Sequence, residues 1–579
     1  MLLHLDPRTA TSLWASVLVE TLVRRGVTRA IVSPGSRSTP LTLALAMHPR
    51  IEAIPVLDER SAAFFALGLA KQAHQPVVLV CTSGTATANF FPAIIEAKES
   101  GVPLVVLTAD RPAELRACGS GQTIDQQKIY GSYVNFFHEL ALPELSAPRL
   151  AYLRQTVAHA VGRTLAPVVG PVHINVPFRD PLAPVSDGGV AAAFSATVDW
   201  DHFFRHLTSA ETAGAVGLAP VIHPDIHGAI VVGPSQPGDV AGFVAAVAEI
   251  ARRLGWPVLA DGLSPIRHHA AQVPHQITTY DIVLRHAAAA ERLKPEVILC
   301  IGGWPTSKVL RGWVEASEAT VWMATEGADN RDALHSRSRP IALALPLLAS
   351  ILPMTVDVSG YQRMWARYEE KTRSALDEKL QQETALFEPK AAWLLARHLP
   401  EGTPLFVANS MPARDAEYVW PASARAIRPL CNRGANGIDG TLSSALGTAH
   451  GTGKPTVLLT GDLALLHDTN GFLIKAKFRG SLTIVLINNQ GGGIFEHLPV
   501  AELDPPFEDF FATPQNADFS QLAAAYGVDY TRVESWPQFI ELLAPLPASG
   551  VRLLELRTDR KVDAAARKRW FAELAAVLG

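Results

Sequence analysis

Long apolar runs are missing from this sequence: none approaches the roughly 18–20 residues that a bilayer-spanning helix needs. Cysteine is scarce, with four residues in 579 (Cys81, Cys118, Cys300, Cys431) and no CxxC pair, so nothing asks for an oxidising compartment. Two of the four end or nearly end apolar stretches, Val77–Cys81 and Val297–Cys300, and read as core thiols. There is no excess of one charge: 51 basic against 55 acidic side chains give a net charge of −4, and no like-charged block stands out. That balance leaves no electrostatic footprint for nucleic acid or an anionic membrane. The 19 histidines form no HExxH or other tight ligand set, and His268-His269 reads as loop surface. Residues Met1–Ala10 lack a signal peptide's apolar stretch. The expectation is a cytoplasmic protein whose partners are small molecules.

What is present is alternation. A chain of this length exceeds one hydrophobic core and divides into about three domains. Ala30–Ser33, Glu52–Leu57, Val77–Cys81 and Leu104–Thr108 read as strands separated by helical patterns such as Thr39–Met47. Strands spaced in this way predict right-handed βαβ units and a parallel sheet. Asp180–Ala196, rich in Pro, Gly, Ser and Ala, reads as a linker. The pattern resumes with strands at Ala229–Val232, Pro257–Ala260, Val297–Ile301 and Thr320–Ala324. Tyr361–Thr384 has helical periodicity without Gly or Pro, and strands return at Leu405–Ala408, Thr456–Thr460 and Leu482–Ile487. The expected fold class is α/β, in three domains of open, mostly parallel sheets flanked by helices, with boundaries at 1–185, 197–358 and 385–579.

Pro455 to Pro499 is the most informative stretch. One strand runs into Gly461-Asp462, a helical stretch follows to Phe478, and the next strand ends in Asn488-Asn489-Gln490-Gly491-Gly492-Gly493. In a parallel βαβ unit both strand ends lie on one edge of the sheet, so Asp462 and Asn489 can meet. A carboxylate, an amide oxygen and the backbone carbonyl of Gly491 form a hard-oxygen set suited to Mg²⁺ (or Mn²⁺), with phosphates and water completing the shell. Glycines let backbone approach a diphosphate closely. Taken singly, each segment is an ordinary turn; it is the two together, at matching strand ends, that point to a site.

Gly-Asp followed at this distance by Asn-Asn resembles the cofactor motif of thiamine-diphosphate enzymes. Further motifs carry the resemblance over nearly the whole chain: Ser33-Pro34-Gly35-Ser36-Arg37-Ser38, Asp58-Glu59-Arg60, Thr82-Ser83-Gly84-Thr85, Asp110-Arg111-Pro112, Asn409-Ser410-Met411-Pro412 with Arg414, and Asn432-Arg433-Gly434 through Ile438. They resemble in particular a branch of the family in menaquinone or phylloquinone synthesis. The broader family has Gly-Asp-Gly where this chain has Gly461-Asp462-Leu463.

The resemblance implies that Glu59 is the carboxyl serving the cofactor's pyrimidine ring and that Ile438 bends the cofactor from below. It implies cofactor contacts from Ser410, Met411, Gly461, Asp462, Leu463, Asn489, Gly491, Gly492, Ile494 and Phe495. Its implied substrates are 2-oxoglutarate as donor and isochorismate as acceptor, joined by decarboxylation and 1,4-addition. Ser36, Arg37, Arg111, Gln122, Lys308, Ser410, Arg414 and Arg433 are then substrate residues, with Ser36, Arg37, Gln122, Arg414 and Arg433 also implied in catalysis alongside Glu59. Phe495 and Leu498 form an apolar wall. Arginine suits such a site because its fork matches a carboxylate. Some relatives carry a second basic residue after the lysine, where this chain has Val309. A Glu that reaches a cofactor held by a neighbouring chain implies a homodimer or homotetramer with active sites at the subunit interface. The rivals are an acetohydroxyacid-synthase-like enzyme of the same cofactor class and a non-catalytic binding module. The module gives no reason to find both Glu59 and a metal loop.

Overall fold

In the computed structural model, residues 3–205, 207, 209, 226–324, 338–341, 343–354 and 360–579 are described. They form three sheets of six strands each, and every strand pairing is parallel. The first sheet holds β1 (Arg29–Val32), β2 (Glu52–Pro55), β3 (Val77–Cys81), β4 (Leu104–Asp110), β5 (Phe137–Glu139) and β6 (Val172–Pro177), in the order β2-β1-β3-β4-β6-β5. The second holds β7 (Gly228–Val232), β8 (Val258–Ala260), β9 (Gln276–Ile277), β10 (Val297–Ile301), β11 (Thr320–Ala324) and β12 (Ser338–Ile341), in the order β12-β11-β10-β7-β8-β9. The third holds β13 (Pro404–Val407), β14 (Arg428–Leu430), β15 (Pro455–Gly461), β16 (Ser481–Asn488), β17 (Asp529–Val533) and β18 (Gly550–Arg557), in the order β14-β13-β15-β16-β18-β17.

The first and third sheets thus share one topology, while the second is wound as a dinucleotide-type sheet. The α/β architecture expected from the alternating pattern is what forms. Parallel sheets are covered on both faces, which is why central strands are apolar at every position: β3 (Val-Val-Leu-Val-Cys) is buried throughout. In the first and third topologies the order in which strands are added reverses between β1 and β3, and between β13 and β15. Ligands bind in the crevice at such a switch point, beyond the carboxyl ends of the strands. The segments after β1, β3, β13 and β15 therefore occupy the positions where chemistry is expected.

The described residues fall into two compact units. One comprises residues up to Ala213 with Asn432–Thr452 and Asp468–Arg479; the other comprises Gly214–Cys431, Gly453–His467 and Gly480–Gly579. In the first unit the helix Glu59–Ala73 begins on Asp58, whose carboxylate accepts the Arg60 N–H at 2.9 Å, and ends where His74 turns left-handed (φ 51). It packs against the helix Thr441–Thr452.

Several local expectations differ from the structure. The linker Asp180–Ala196 contains a helix, Val190–Ala196, because its end is a run of alanines. The helical stretch after Asp462 is two pieces, a short helix Asp462–Leu466 and a 3₁₀ segment Thr469–Lys477. His268 is not surface: it ends a 3₁₀ turn, is 1% exposed, and packs edge-on against Trp420. Cys81 and Cys300 are buried, as Cys431 is, whereas Cys118 is exposed. The expected end of the second domain, at residue 358, lies outside the described residues.

Candidate active site

In the unit carrying the first sheet, the segments after β1, β3 and β4 bring Arg37, Ser83, Arg111 and Gln122 together. Arg37 is 8% exposed and donates through Nη1 to the Phe178 carbonyl at 3.0 Å, while its Nε is buried without a partner. Its ion pair with Asp180, at 3.4 Å, is weak because that carboxylate is 71% exposed. Arg111 donates through Nη1 to the Ser83 hydroxyl and to the Gln122 carbonyl, the latter at 2.9 Å. The Gln122 amide in turn donates to the Ser83 carbonyl at 3.0 Å. Burial first, and the neighbouring Arg37 second, lower the Arg111 guanidinium below its usual range. Two guanidiniums this close repel, and an anion between them relieves the repulsion. Ser36 is exposed on the same loop as Arg37. Ser83 was not singled out from the sequence as a site residue, although its motif was visible.

Glu59, half-buried, opens the helix Glu59–Ala73 just after β2. The segment with Arg433 and Ile438 belongs to the same unit. Its backbone is held by Glu96, which accepts the N–H groups of Gly434 (3.1 Å) and Ala435 (2.7 Å). Lys71 bridges Glu96 (3.1 Å) and the Asn432 side-chain oxygen (3.0 Å). Burial alone would raise the Glu96 carboxyl, but Lys71, Ser100 and the two N–H groups together hold it below its ordinary value.

In the other unit, β15 and β16 are neighbours, with Gly461 opposite Ile487. Their ends therefore share an edge, and the Gly491 N–H donates to Asp462 Oδ2 at 2.8 Å. Asp462 Oδ1 accepts the Leu463 N–H at 2.7 Å. Burial pushes this carboxyl up to about 6 against those hydrogen bonds. Asn489 is buried; its Nδ2 donates to Glu388 Oε1 at 2.6 Å, while its Oδ1 has no hydrogen-bond partner. A buried amide oxygen without a partner costs about 1–3 kcal/mol, and a bound cation removes that cost. Gly491, at φ 132, faces the Ala512 carbonyl where a side chain would sit, so only glycine fits there. Among the described residues no three His, Cys, Asp or Glu side chains cluster as a metal set. The donors here are one carboxylate, one amide oxygen and backbone, which fits a hard divalent cation sharing its shell with phosphate.

Around this loop, a polar cavity of about 270 Å³ is bordered by Asp462, Gln490, Asp518 and Arg557. Ser410, after β13, sits at φ 69 and ψ −134, a conformation that costs a non-glycine residue on the order of 1–3 kcal/mol and marks functional turns. It starts the helix Met411–Val419, where Met411 is buried and Arg414 donates to the Ser410 carbonyl at 2.9 Å. Gly461, Leu463, Ile494, Phe495 and Leu498 are partly exposed beside the loop and Gly492 is buried. Phe495 packs on Phe511 with ring centres 5.9 Å apart. Lys308 is exposed at the start of the helix Lys308–Ala316, and His467 is exposed after the helix Asp462–Leu466. Glu388 and Arg567 were not read from the sequence; 179 positions separate them.

Residues 14–129 match the N-terminal TPP binding domain of thiamine pyrophosphate enzymes, 224–407 the middle domain, and 418–554 the C-terminal TPP binding domain. The 2-succinyl-5-enolpyruvyl-6-hydroxy-3-cyclohexene-1-carboxylate synthase of Microcystis aeruginosa is 52% identical over 98% of this chain and 99% of the relative. The chain belongs to that synthase family. Synthases of the same name from Trichodesmium erythraeum and a Nostoc species are each 50% identical, over 97% of this chain and 98% and 97% of the relatives. As a family member the chain is an enzyme using thiamine diphosphate and small-molecule substrates. No described helix is long and apolar enough to cross a membrane.

Proposed function

We propose that the chain carries out the reaction for which these relatives are named, by joining 2-oxoglutarate to isochorismate. The oxo acid loses its 1-carboxyl as CO₂. The remaining four-carbon acyl unit adds, as a carbanion equivalent, to the acceptor's conjugated alkene in a 1,4-addition. The product is 2-succinyl-5-enolpyruvyl-6-hydroxy-3-cyclohexene-1-carboxylate. The observation that carries this reading is identity at half of all positions over nearly the whole chain with synthases of that name. Bound thiamine diphosphate supplies the electron sink that makes decarboxylation and acyl transfer possible.

The chain's own residues do the rest. Asp462, Asn489 and the Gly491 carbonyl would hold Mg²⁺ (or Mn²⁺), a role supported by the unpartnered Asn489 oxygen. Gly461, Leu463, Ser410, Met411, Gly492, Ile494, Phe495 and Ile438 would hold the cofactor. Glu59 would hold a proton at its carboxyl for the cofactor's pyrimidine ring. Arg37 and Arg111, with Ser36 and Gln122, receive carboxylates; their crowded positive charge supports that role. Arg414, Arg433 and Lys308 complete the anion set, and Phe495 with Leu498 excludes water from the acceptor's ring. The working form is a homodimer or homotetramer in the cytoplasm, with Glu59 of one chain serving the cofactor held by another.

The test is CO₂ release from 2-oxoglutarate in the presence of thiamine diphosphate and Mg²⁺. Glu59→Gln keeps the shape but cannot exchange the proton, and release is expected to fall at least about 10²-fold. Unchanged release in that variant removes Glu59 from the mechanism.

A further inference from the structure

Glu388, Asp415 and Asp563 surround one guanidinium, Arg567, and all four residues are at most 3% exposed. Arg567 bonds Asp415 through Nε (3.0 Å) and Nη2 (2.8 Å), and its Nη2 also reaches Glu388 Oε2. The Glu388 backbone N–H donates to Asp563 at 3.2 Å. The other oxygen of Glu388 accepts from the Asn489 amide at 2.6 Å. A buried ion cluster is weak evidence of stability, because desolvation offsets its Coulomb attraction. A staple between the helix Glu388–His398, the helix Met411–Val419 and the C-terminal helix Arg560–Ala576 accounts for Asp415 and Asp563. It does not account for the bond to Asn489, nor for the amide oxygen left bare on the other side.

We propose that Glu388 and Arg567 are positioning residues for the cation loop: Glu388 dictates which end of the Asn489 amide faces the metal, and Arg567 holds Glu388 in place. The two ends of a carboxamide are nearly the same shape, so packing alone does not choose between them. An ionised carboxylate only accepts hydrogen bonds, so the NH₂ must face Glu388 and the oxygen must face away. Outer-shell partners of this kind orient metal ligands and tune their affinity. Through Asp415, Arg567 also ties down the helix that follows Ser410 and bears Arg414, so one guanidinium sets both the metal loop and a substrate-facing helix. The proposal depends on the reading of Asn489 as a metal ligand.

The test is Mn²⁺ binding to the full-length protein with thiamine diphosphate, followed by electron paramagnetic resonance. Glu388→Gln keeps the volume but can present either a donor or an acceptor, so it no longer enforces the orientation. Mn²⁺ affinity is expected to fall about 10–100-fold, the range for lost outer-shell partners. Asp563→Asn alters the same cluster without touching Asn489 and is expected to stay within about twofold of the unmodified protein, below that range. Equal weakening in both variants, or none in Glu388→Gln, overturns the proposal. Should Glu388→Gln not fold, Arg567→Lys, which keeps the charge but cannot bridge both carboxylates, is read against the same limits. Asn489→Ala separates the two levels: if it binds Mn²⁺ normally, the metal reading fails and takes the proposal with it. If Asn489→Ala loses Mn²⁺ while Glu388→Gln does not, only the positioning proposal fails.

Discussion

Gly68 sits where the helix Glu59–Ala73 crosses the helix Thr441–Thr452 with no room for a side chain. A Cβ there would lie 2.8 Å from the Ser444 carbonyl carbon and 3.0 Å from its Cα, with the carbonyl oxygen closer still. From the other helix, Gly447 meets the Phe65 carbonyl in the same way. Carbon atoms settle at about 3.5–4.0 Å, so Gly68→Ala must open the crossing by about 1 Å. Overpacking costs about 1–3 kcal/mol, and alanine's better helix propensity returns about 1 kcal/mol. The neighbours are backbone and cannot rotate away, so the upper part of the overpacking range, about 2–3 kcal/mol, applies and the expected net loss is about 1–2 kcal/mol. That corresponds to an apparent Tm lower by about 2–8 °C for domains of roughly this size. Because Glu59 opens the same helix, a shift of about 1 Å is also expected to lower kcat by as much as about 10²-fold. Gly312 supplies the comparison: it is exposed within the helix Lys308–Ala316, and its missing Cβ would meet nothing within 4 Å. There the same substitution is expected to stabilise by about 0.5–1 kcal/mol. Thermal unfolding followed by circular dichroism reads both variants, and a Tm for Gly68→Ala equal to or above that of Gly312→Ala refutes the argument.

Lys71→Met leaves Glu96 buried without its cation, a change that costs about 3–5 kcal/mol at pH 7. The sign follows from the carboxyl's lowered pKa: its stabilisation is complete above the unfolded value of 4.5 and is lost as the pH falls below it. Without Lys71 burial dominates and the carboxyl titrates above 4.5, so the variant's penalty should shrink between pH 7 and 4.5; a penalty that is constant with pH in denaturant titrations contradicts this. For the metal loop, Mg²⁺ added with thiamine diphosphate is expected to raise the unfolding temperature, by the equivalent of about 2.7 kcal/mol at 100-fold excess over Kd. Asp462→Ala should lose the Mg²⁺-dependent part of that rise, and a full rise in the variant would show that the cation binds elsewhere.

The meeting of the loops after β15 and β16 was legible because a βαβ unit forces two strand ends onto one edge, and the Gly491–Asp462 hydrogen bond lies on that edge. Central strands such as β3 and β10 were legible because burial on both faces makes them apolar. Two of the edge strands were not, because β5 (Phe137-His138-Glu139) and β17 (Asp529-Tyr530-Thr531-Arg532-Val533) carry polar residues. Strand order, and with it the shared topology of the first and third sheets, is set by crossovers that leave no mark in composition. His268 misled because two adjacent histidines look solvated, whereas tertiary packing places the ring against Trp420. Glu388 and Arg567 were invisible for another reason: each is an ordinary helix charge until the fold brings Glu388 to Asn489 and Arg567 to Glu388.

The central claim is tested most directly by mixing the purified protein with thiamine diphosphate, Mg²⁺ and 2-oxoglutarate and following the ultraviolet absorbance of isochorismate, with each component omitted in turn. Loss of absorbance that requires every component, with one CO₂ released per acceptor consumed, is the expected result. Absorbance that stays flat while 2-oxoglutarate still loses CO₂ contradicts the acceptor assigned here and leaves only a decarboxylase.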